Sequence, residues 1–220
     1  MTKAGKGTVL HSFTGGSSDG AFPYLEGVLM DAKGNLYGDA TQGGDPPPEF
    51  DGGVVYKLGK SGALTVLHSF GKGTDGFGPY GTPVMDKQGN LYGTIYGGGS
   101  SGGLGTVWKV SKKGKETVLH SFAGGASDGA YPYAGVIMDA KGNLYGVTAA
   151  GGSGTACGQY ACGTVYELSK NGTLTVLHTS PGRTGNSPPG GLILDANGNL
   201  YGTTMYGGSS GYGTAWKLTP

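Results

Sequence analysis

The sequence predicts an all-β fold, a small β-propeller of four four-stranded antiparallel blades. Three observations predict it: one set of motifs occurs four times, its period is close to the length of a propeller blade, and the composition is rich in turn residues. Glycine accounts for 50 of the 220 residues, against roughly 7% in average proteins. We therefore expect many tight turns, no sustained helix, and a single repeat domain spanning residues 1–220.

The repeats are marked by the segment TVLHSF or TVLHTS, which occurs four times. The marker histidines are His11, His68, His120 and His178. They are 52 to 58 residues apart, somewhat more than the ~40–50 residues typical of a four-stranded blade. The repeats therefore span approximately residues 8–64, 65–116, 117–174 and 175–220.

Each repeat is predicted to form four short strands, which we name A to D. The A strand is an apolar run such as GVIMD, B begins with NLYG, C resembles GTVYKL and D is TVLHSF. Their Val, Thr, Tyr and Trp residues favour pleated, half-buried positions. The A–B turn reads Asp-x-x-Gly-Asn, in which the aspartate accepts backbone N–H bonds and the glycine takes positive φ. We therefore interpret its four aspartates as structural: Asp31, Asp86, Asp139 and Asp195.

Ring closure is predicted from the order of the strands along the chain. The chain opens with a lone D strand, Thr8 to Phe13, and ends with A, B and C strands finishing at Leu218. Pairing Gly213–Leu218 with the N-terminal strand would complete the fourth blade and cover both strand edges. The alternative is that two chains join head to tail in an eight-bladed ring. We thus expect a monomer, or a homodimer that completes the larger ring.

One face of the predicted ring carries the long B–C and D–A loops, and any ligand is expected to bind there. The candidate ligand-binding residues are Asp19, Tyr24, Asp75, Tyr80, Tyr96, Asp128, Tyr131, Tyr133 and Tyr206. Aromatic rings beside carboxylates suit sugars, because CH groups stack on the rings while hydroxyls bond to the carboxylates. The same residues would also serve as turns and as packing between blades, so this alternative stays open.

The repeats resemble the GloVer tandem-repeat family of bacterial surface and secreted proteins. The resemblance rests on the VLHSF, D-G-x-x-P-Y, D-x-x-G-N-L-Y-G and CGTVYEL segments and covers essentially the whole chain. It implies a propeller at an extracellular or cell-surface location and carries over no catalytic residue. The fourth repeat departs from the pattern, with TGNSPP in place of D-G-x-x-P-Y. Residues 1–6 lack the apolar core of a signal peptide, and no C-terminal anchor is evident.

The predicted function is non-enzymatic binding of glycans or another surface polymer through the loop face. The sequence has no nucleophile elbow, no HExxH motif and no informative Ser-His-Asp spacing, so we expect no catalytic residue and no cofactor. One alternative is a carbohydrate-active enzyme that uses the loop carboxylates Asp19, Asp75 and Asp128. Another is a symmetric scaffold, natural or engineered, that binds no ligand.

Nucleic-acid, membrane and metal roles are not expected. The net charge is +1 without a basic run, and no segment approaches the ~18 apolar residues of a membrane span. The four histidines lie on the predicted outer strands, too far from the axis to share a metal, and we interpret them as packing or edge residues. Cys157 and Cys162 have no second pair to complete a zinc site. We interpret them as structural, in a loop disulfide, with free thiols as the alternative.

Overall fold

The structure, a computed structural model, describes residues 5–24, 27–44, 52–72, 74–153, 163–180 and 190–220. Within those ranges it consists of strands, turns and loops and has no helix. The all-β prediction is therefore confirmed. No described segment is a helix long and apolar enough to cross a membrane. Cys157 and Cys162 lie outside the described residues, so their predicted disulfide stays a prediction.

The described residues form twenty strands. The first group is β1 (Gly20–Ala21), β2 (Leu29–Met30), β3 (Leu36–Ala40), β4 (Gln42–Gly43), β5 (Val54–Leu58) and β6 (Leu64–Ser69). The second is β7 (Phe77–Pro79), β8 (Val84–Met85), β9 (Leu91–Gly97), β10 (Thr106–Val110) and β11 (Glu116–Ser121). The third is β12 (Gly129–Ala130), β13 (Ile137–Met138), β14 (Leu144–Thr148), β15 (Ala150–Gly151), β16 (Thr164–Leu168) and β17 (Leu174–Thr179). The fourth is β18 (Ile193–Leu194), β19 (Leu200–Thr204) and β20 (Thr214–Leu218).

The main strands form four antiparallel sheets in the predicted order A–B–C–D. The first three are β2-β3-β5-β6, β8-β9-β10-β11 and β13-β14-β16-β17, and the fourth is β18-β19-β20. Short ladders also join D–A loops to the ends of B strands: β1 pairs with β4, β7 with β9, and β12 with β15. These ladders hold the D–A loops of the loop face against the sheets.

The A–B hairpins close around their aspartates. Asp86 Oδ1 accepts bonds from the backbone N–H groups of Gln88 and Asn90, at 2.9 and 2.8 Å. Its Oδ2 accepts bonds from the Asn90 side-chain amide and the Tyr92 hydroxyl, at 2.7 and 2.9 Å. The same four bonds occur at Asp31, Asp139 and Asp195. A carboxylate with four donors serves the turn.

The core of each sheet is built on a B-strand glycine opposite a C-strand aromatic residue. In the second sheet Gly93 pairs with Trp108, and a Cβ atom at Gly93 would lie only 2.4 Å from Trp108 Cζ2. The other pairs are Gly38–Tyr56, Gly146–Tyr166 and Gly202–Trp216. The ring occupies the space that a side chain would otherwise fill, which is why the NLYG motif ends in glycine.

A phenylalanine that follows the D strand joins the first sheet to the second and the second sheet to the third. Phe70, after β6, packs against Trp108 of the second sheet with ring centroids 5.3 Å apart. Phe122, after β11, packs against Tyr166 of the third sheet at the same distance. Both phenylalanines are fully buried. The first sheet therefore completes the core of the second, and the second that of the third, as expected of blades placed side by side.

The predicted ladder between the N-terminal segment and the last strand does not form among the described residues. Residues 8–13 form no strand, and β20 pairs with β19 alone. Val9 is 78% exposed. Phe13 nevertheless packs against Tyr56 of the first sheet at 5.2 Å, as Phe70 packs against Trp108. In the part of the chain that the structure describes, the four main sheets thus follow one another without a ladder that closes the ring.

Candidate functional site

Five of the predicted ligand-binding tyrosines lie together, and we call them the tyrosine cluster: Tyr24, Tyr80, Tyr96, Tyr131 and Tyr133. Tyr80 is 6.3 Å from Tyr24, 5.7 Å from Tyr133 and 5.5 Å from Tyr96 between ring centroids. Tyr96 is 4.7 Å from Tyr133 and 5.1 Å from Tyr131. These separations are those of interacting aromatic rings. The five side chains therefore form one continuous aromatic surface.

Three of these tyrosines occupy the same position in consecutive repeats. Tyr24, Tyr80 and Tyr133 each follow the proline of a D–A loop. Because the sheets stand side by side, equivalent loop positions meet at one place. Tyr24 is 57% exposed, and the other four members of the cluster are half-buried. The rings are thus packed against one another while part of their surface remains open to solvent.

The pKa values of two tyrosines in the cluster, Tyr80 and Tyr133, are raised. A hydrogen bond between the Tyr96 and Tyr133 hydroxyls, together with burial, raises the pKa of Tyr133 to about 12. Burial and the neighbouring tyrosines also raise the pKa of Tyr80. The cluster offers ring faces together with hydroxyls that can both donate and accept hydrogen bonds.

The predicted aspartates are held inside their own loops. Asp19 accepts bonds from the backbone N–H and hydroxyl of Thr14, both at 2.9 Å, and from the Gly20 N–H at 2.8 Å. His11 Nε2 lies 3.1 Å from its carboxylate. With this many partners, the carboxylate braces the D–A loop against the preceding D segment.

The same brace occurs in the next two repeats. His68 Nε2 lies 3.3 Å from Asp75, and His120 Nε2 lies 3.2 Å from Asp128. Burial opposes ionisation of Asp128, but the bonds from His120 and from the backbone of Ala123 and Gly129 outweigh it. They hold the pKa of Asp128 below its usual value.

This His–Asp pair is the feature that sequence reasoning missed, because the histidines were interpreted as packing or edge residues. The signal is present in the sequence. The histidine precedes an Asp-Gly pair by seven or eight residues in three repeats. After His178 the fourth repeat has no aspartate before the next A strand.

Tyr206 does not occupy the position of Tyr96, although both precede glycines. The ladders place Leu91 opposite Val110 and Leu200 opposite Leu218. Counting from these equivalent leucines, Tyr96 corresponds to Met205, and Tyr206 falls one residue further along. A one-residue offset on an extended chain reverses the direction of the side chain. In the described part of the chain, no ring contact joins Tyr206 to the tyrosine cluster.

The described residues contain no group of three His, Cys, Asp or Glu side chains that could hold a metal ion.

The fold and the repeated loops define a propeller-like, all-β repeat protein. The chain belongs to the Gloeobacter/Verrucomicrobia repeat family, whose sequence profile matches residues 1–156. The family resemblance of the repeat motifs is thereby confirmed. A search of curated proteins gave no match.

Solved structures with propeller-like folds resemble the chain at low sequence identity. A candidate gluconolactonase is 18% identical with a TM-score of 0.51, over 88% of this chain and 63% of its own length. A gluconolactonase from Xanthomonas campestris is 16% identical with a TM-score of 0.50, over 92% and 78%. A luciferin-regenerating enzyme is 15% identical with a TM-score of 0.51, over 88% and 60%. The chain thus spans about three fifths of the length of the first and third, and at these identities the likeness shows the fold alone.

Proposed function

We propose that the protein binds carbohydrate through the tyrosine cluster without changing it chemically. The observation that carries this proposal is the convergence of five half-buried or exposed tyrosines into one surface, with neighbouring ring centroids 4.7 to 6.3 Å apart. Sugar rings present CH groups on their faces and hydroxyls around their edges. The aromatic faces can stack on the CH groups, and the tyrosine hydroxyls can form hydrogen bonds with the sugar hydroxyls.

The tyrosines support this function better than the aspartates do. The carboxylates of Asp19, Asp75 and Asp128 are bound by histidines and backbone N–H groups. An enzyme of the glycosidase kind needs two carboxylates whose environments differ, so that one is an acid and the other a base or nucleophile. Here the three sites are near copies of one another. This favours binding over the alternative of a carbohydrate-active enzyme.

Binding and turnover are tested together on a glycan array, followed by reducing-sugar assays on every glycan that binds. We expect binding without release of reducing ends. The Tyr80→Ala variant should weaken binding about tenfold, the loss expected when an aromatic contact is removed. Tyr212→Ala is the matched control, because Tyr212 is 92% exposed and lies outside the cluster.

Two results would contradict the proposal. Release of reducing ends from a bound glycan would make the protein an enzyme. Silence across a broad panel would instead favour the symmetric scaffold without a ligand.

The ring and its location belong to the same proposal. We propose that the four sheets are the blades of a ring and that the protein works at the bacterial surface, as the family resemblance implies. The D strand of the fourth blade would be residues 8–13. In the other three C–D ladders the C-strand aromatic pairs with a valine, as Trp108 does with Val118. The same register would place Val9 opposite Trp216 and Thr8 opposite Lys217.

A cysteine pair tests this register. Thr8→Cys and Lys217→Cys, with Cys157 and Cys162 changed to serine, should form a disulfide when oxidised. A cross-link within one chain supports closure of four blades, whereas a covalent dimer supports the eight-bladed ring of two chains. Thr8→Cys with Thr219→Cys is the control, since that pair is out of register. Absence of a cross-link in the first pair would contradict both rings.

A further inference from the structure

Two bulky residues hold a backbone conformation that usually belongs to glycine. Phe22 and Tyr131 have φ values of 55° and 57°, and they are the non-glycine residues of the described chain with positive φ. Both precede the proline of a D–A loop, in repeats one and three. In repeat two the same position is Gly78, with φ of 74°. Aromatic residues are disfavoured in this region because Cβ crowds the backbone.

The loop itself fixes this conformation through the backbone. The Thr41 N–H and hydroxyl both donate to the Phe22 carbonyl, each at 3.1 Å. The Ala149 N–H donates to the Tyr131 carbonyl at 3.0 Å. None of these bonds uses the Phe22 or Tyr131 side chain. A glycine therefore serves the turn as well as an aromatic residue does, as it does at position 78.

Packing does not account for the aromatic side chain of Phe22 either. Phe22 is 65% exposed, so its ring gains little burial in return for the strained backbone. It lies two residues before Tyr24 of the tyrosine cluster, and Tyr131 lies 5.1 Å from Tyr96 between ring centroids. Strained residues that the fold does not require are typical of binding sites.

We propose that Phe22 is a stacking platform in addition to the tyrosine cluster, that Tyr131 is its equivalent within the cluster, and that the site takes an extended polysaccharide rather than a single sugar or a disaccharide. This inference rests on the proposed function and names its ligand class. The platforms stand in the first and third repeats, and Gly78 stands in the repeat between them. Gly78 is buried, and the Tyr80 ring lies beside the position where its side chain would begin, so Tyr80 supplies the aromatic surface of the middle repeat between the two platforms.

The test compares Phe22→Gly with the wild type on two measurements. The first is affinity for cello- and chito-hexasaccharides against the corresponding disaccharides, and the second is the melting temperature. We expect the wild type to bind the hexasaccharide more tightly than the disaccharide. In Phe22→Gly the ratio of these two affinities should fall about tenfold. Relief of the strained backbone should raise the melting temperature by about 2–4 °C.

The reverse substitution, Gly78→Tyr, is the matched variant. A Cβ atom there would meet the Tyr80 ring at 3.4 Å, an ordinary contact. We expect a lower melting temperature, because Gly78 is buried and its positive φ strains any side chain, and hexasaccharide binding no tighter than that of the wild type. Tyr131→Gly should lose the same preference, but its melting temperature should rise less, because the half-buried Tyr131 ring packs against Tyr96.

Three outcomes would overturn the inference. A lower melting temperature for Phe22→Gly would show that the ring is structural. If Phe22→Gly kept the same preference for the hexasaccharide, Phe22 would not be a stacking platform. A loss of binding in Tyr80→Ala would still support the proposed function. A wild type that binds neither the two oligosaccharide series nor the glycan array would remove both proposals.

Discussion

The first three sheets and the fourth differ in how completely their neighbours cover them. Tyr56, Trp108 and Tyr166 are buried at the centres of their sheets, whereas the equivalent Trp216 is half-buried. A phenylalanine from the preceding D segment packs on each of the first three rings. Before the fourth sheet that position is Ser180. The core of a sheet in this protein therefore depends on side chains from the preceding segment as much as on its own strands.

The same division runs through the loop face. The first three repeats have the His–Asp brace and a tyrosine after the loop proline. The fourth has TGNSPP in place of D-G-x-x-P-Y. The proposed binding surface is therefore a property of three repeats, and the fourth repeat extends the sheet array.

The largest difference is expected for the inter-sheet phenylalanines. Phe122→Ala should lower the free energy of unfolding by about 3–5 kcal/mol, because it leaves a cavity beside the buried Tyr166. Phe13 is only half-buried against Tyr56, so Phe13→Ala should lower it by about half as much. Urea denaturation of both variants measures this. Equal losses would contradict the claim that neighbour coverage sets the core.

The glycines beneath the C-strand rings sharpen the same comparison. Gly93→Ala places a Cβ atom 2.4 Å from the fully buried Trp108, and Gly202→Ala places one 2.4 Å from the half-buried Trp216. Trp108 has no space to move, so the first variant should cost about 1–3 kcal/mol of unfolding free energy. Trp216 can tilt toward solvent, and the second should cost less than about 1 kcal/mol. A larger loss at Gly202 would contradict the prediction, because it would show that Trp216 is held as tightly as Trp108.

The His–Asp brace predicts a smaller, pH-dependent effect. The pKa of Asp128 is lowered in the folded state, so its contribution is present above the unfolded pKa near ~3.9. It is lost as the pH falls through the lower folded value. After allowance for partial exposure, Asp128→Asn should cost about 1 kcal/mol at pH 7. The variant should also lose less stability than the wild type between pH 5 and pH 2, as measured by urea denaturation at each pH.

Asp195→Asn is the control for that experiment. Asp195 lies in the fourth repeat, where a hydrogen bond from the Asn199 side chain and bonds from the backbone lower its pKa to about 2. The contribution of Asp195 to the free energy of unfolding should therefore persist to a lower pH than the contribution of a carboxyl group with an ordinary pKa. An identical pH dependence in Asp128→Asn and the wild type would contradict the brace.

The smallest effect is expected at Tyr166. Its hydroxyl is buried and has no hydrogen-bond partner among the described residues. Tyr166→Phe removes a hydroxyl that folding strips of water without providing a hydrogen bond in the protein. The free energy of unfolding should therefore stay the same or rise by up to about 1 kcal/mol. Thermal unfolding compared with the wild type measures it. A clear loss of stability would mean that the hydroxyl is bonded in solution.

Much of the fold follows from local sequence. The Asp-x-x-Gly-Asn turns, the strand order and the all-β class depend on contacts within one repeat, and such contacts recur wherever the motif recurs. The role of the glycine in NLYG was harder to predict from the sequence. It depends on an aromatic ring of the neighbouring strand, as Gly93 does on Trp108. The His–Asp brace depends on a contact across a D–A loop, which motif matching did not reveal.

The sequence by itself determined the class of the protein: four repeats, their strand order, and turns specified by aspartate and glycine. The tertiary structure decided which candidate residues meet. It brought together the five tyrosines of the cluster: Tyr24, Tyr80, Tyr96, Tyr131 and Tyr133. The carboxylates of Asp19, Asp75 and Asp128 instead bond within their own loops, and Tyr206 lies one residue beyond the position equivalent to Tyr96. The physical reason is that a turn is fixed by neighbours along the chain. The surface shared by three sheets depends instead on how the sheets pack against one another.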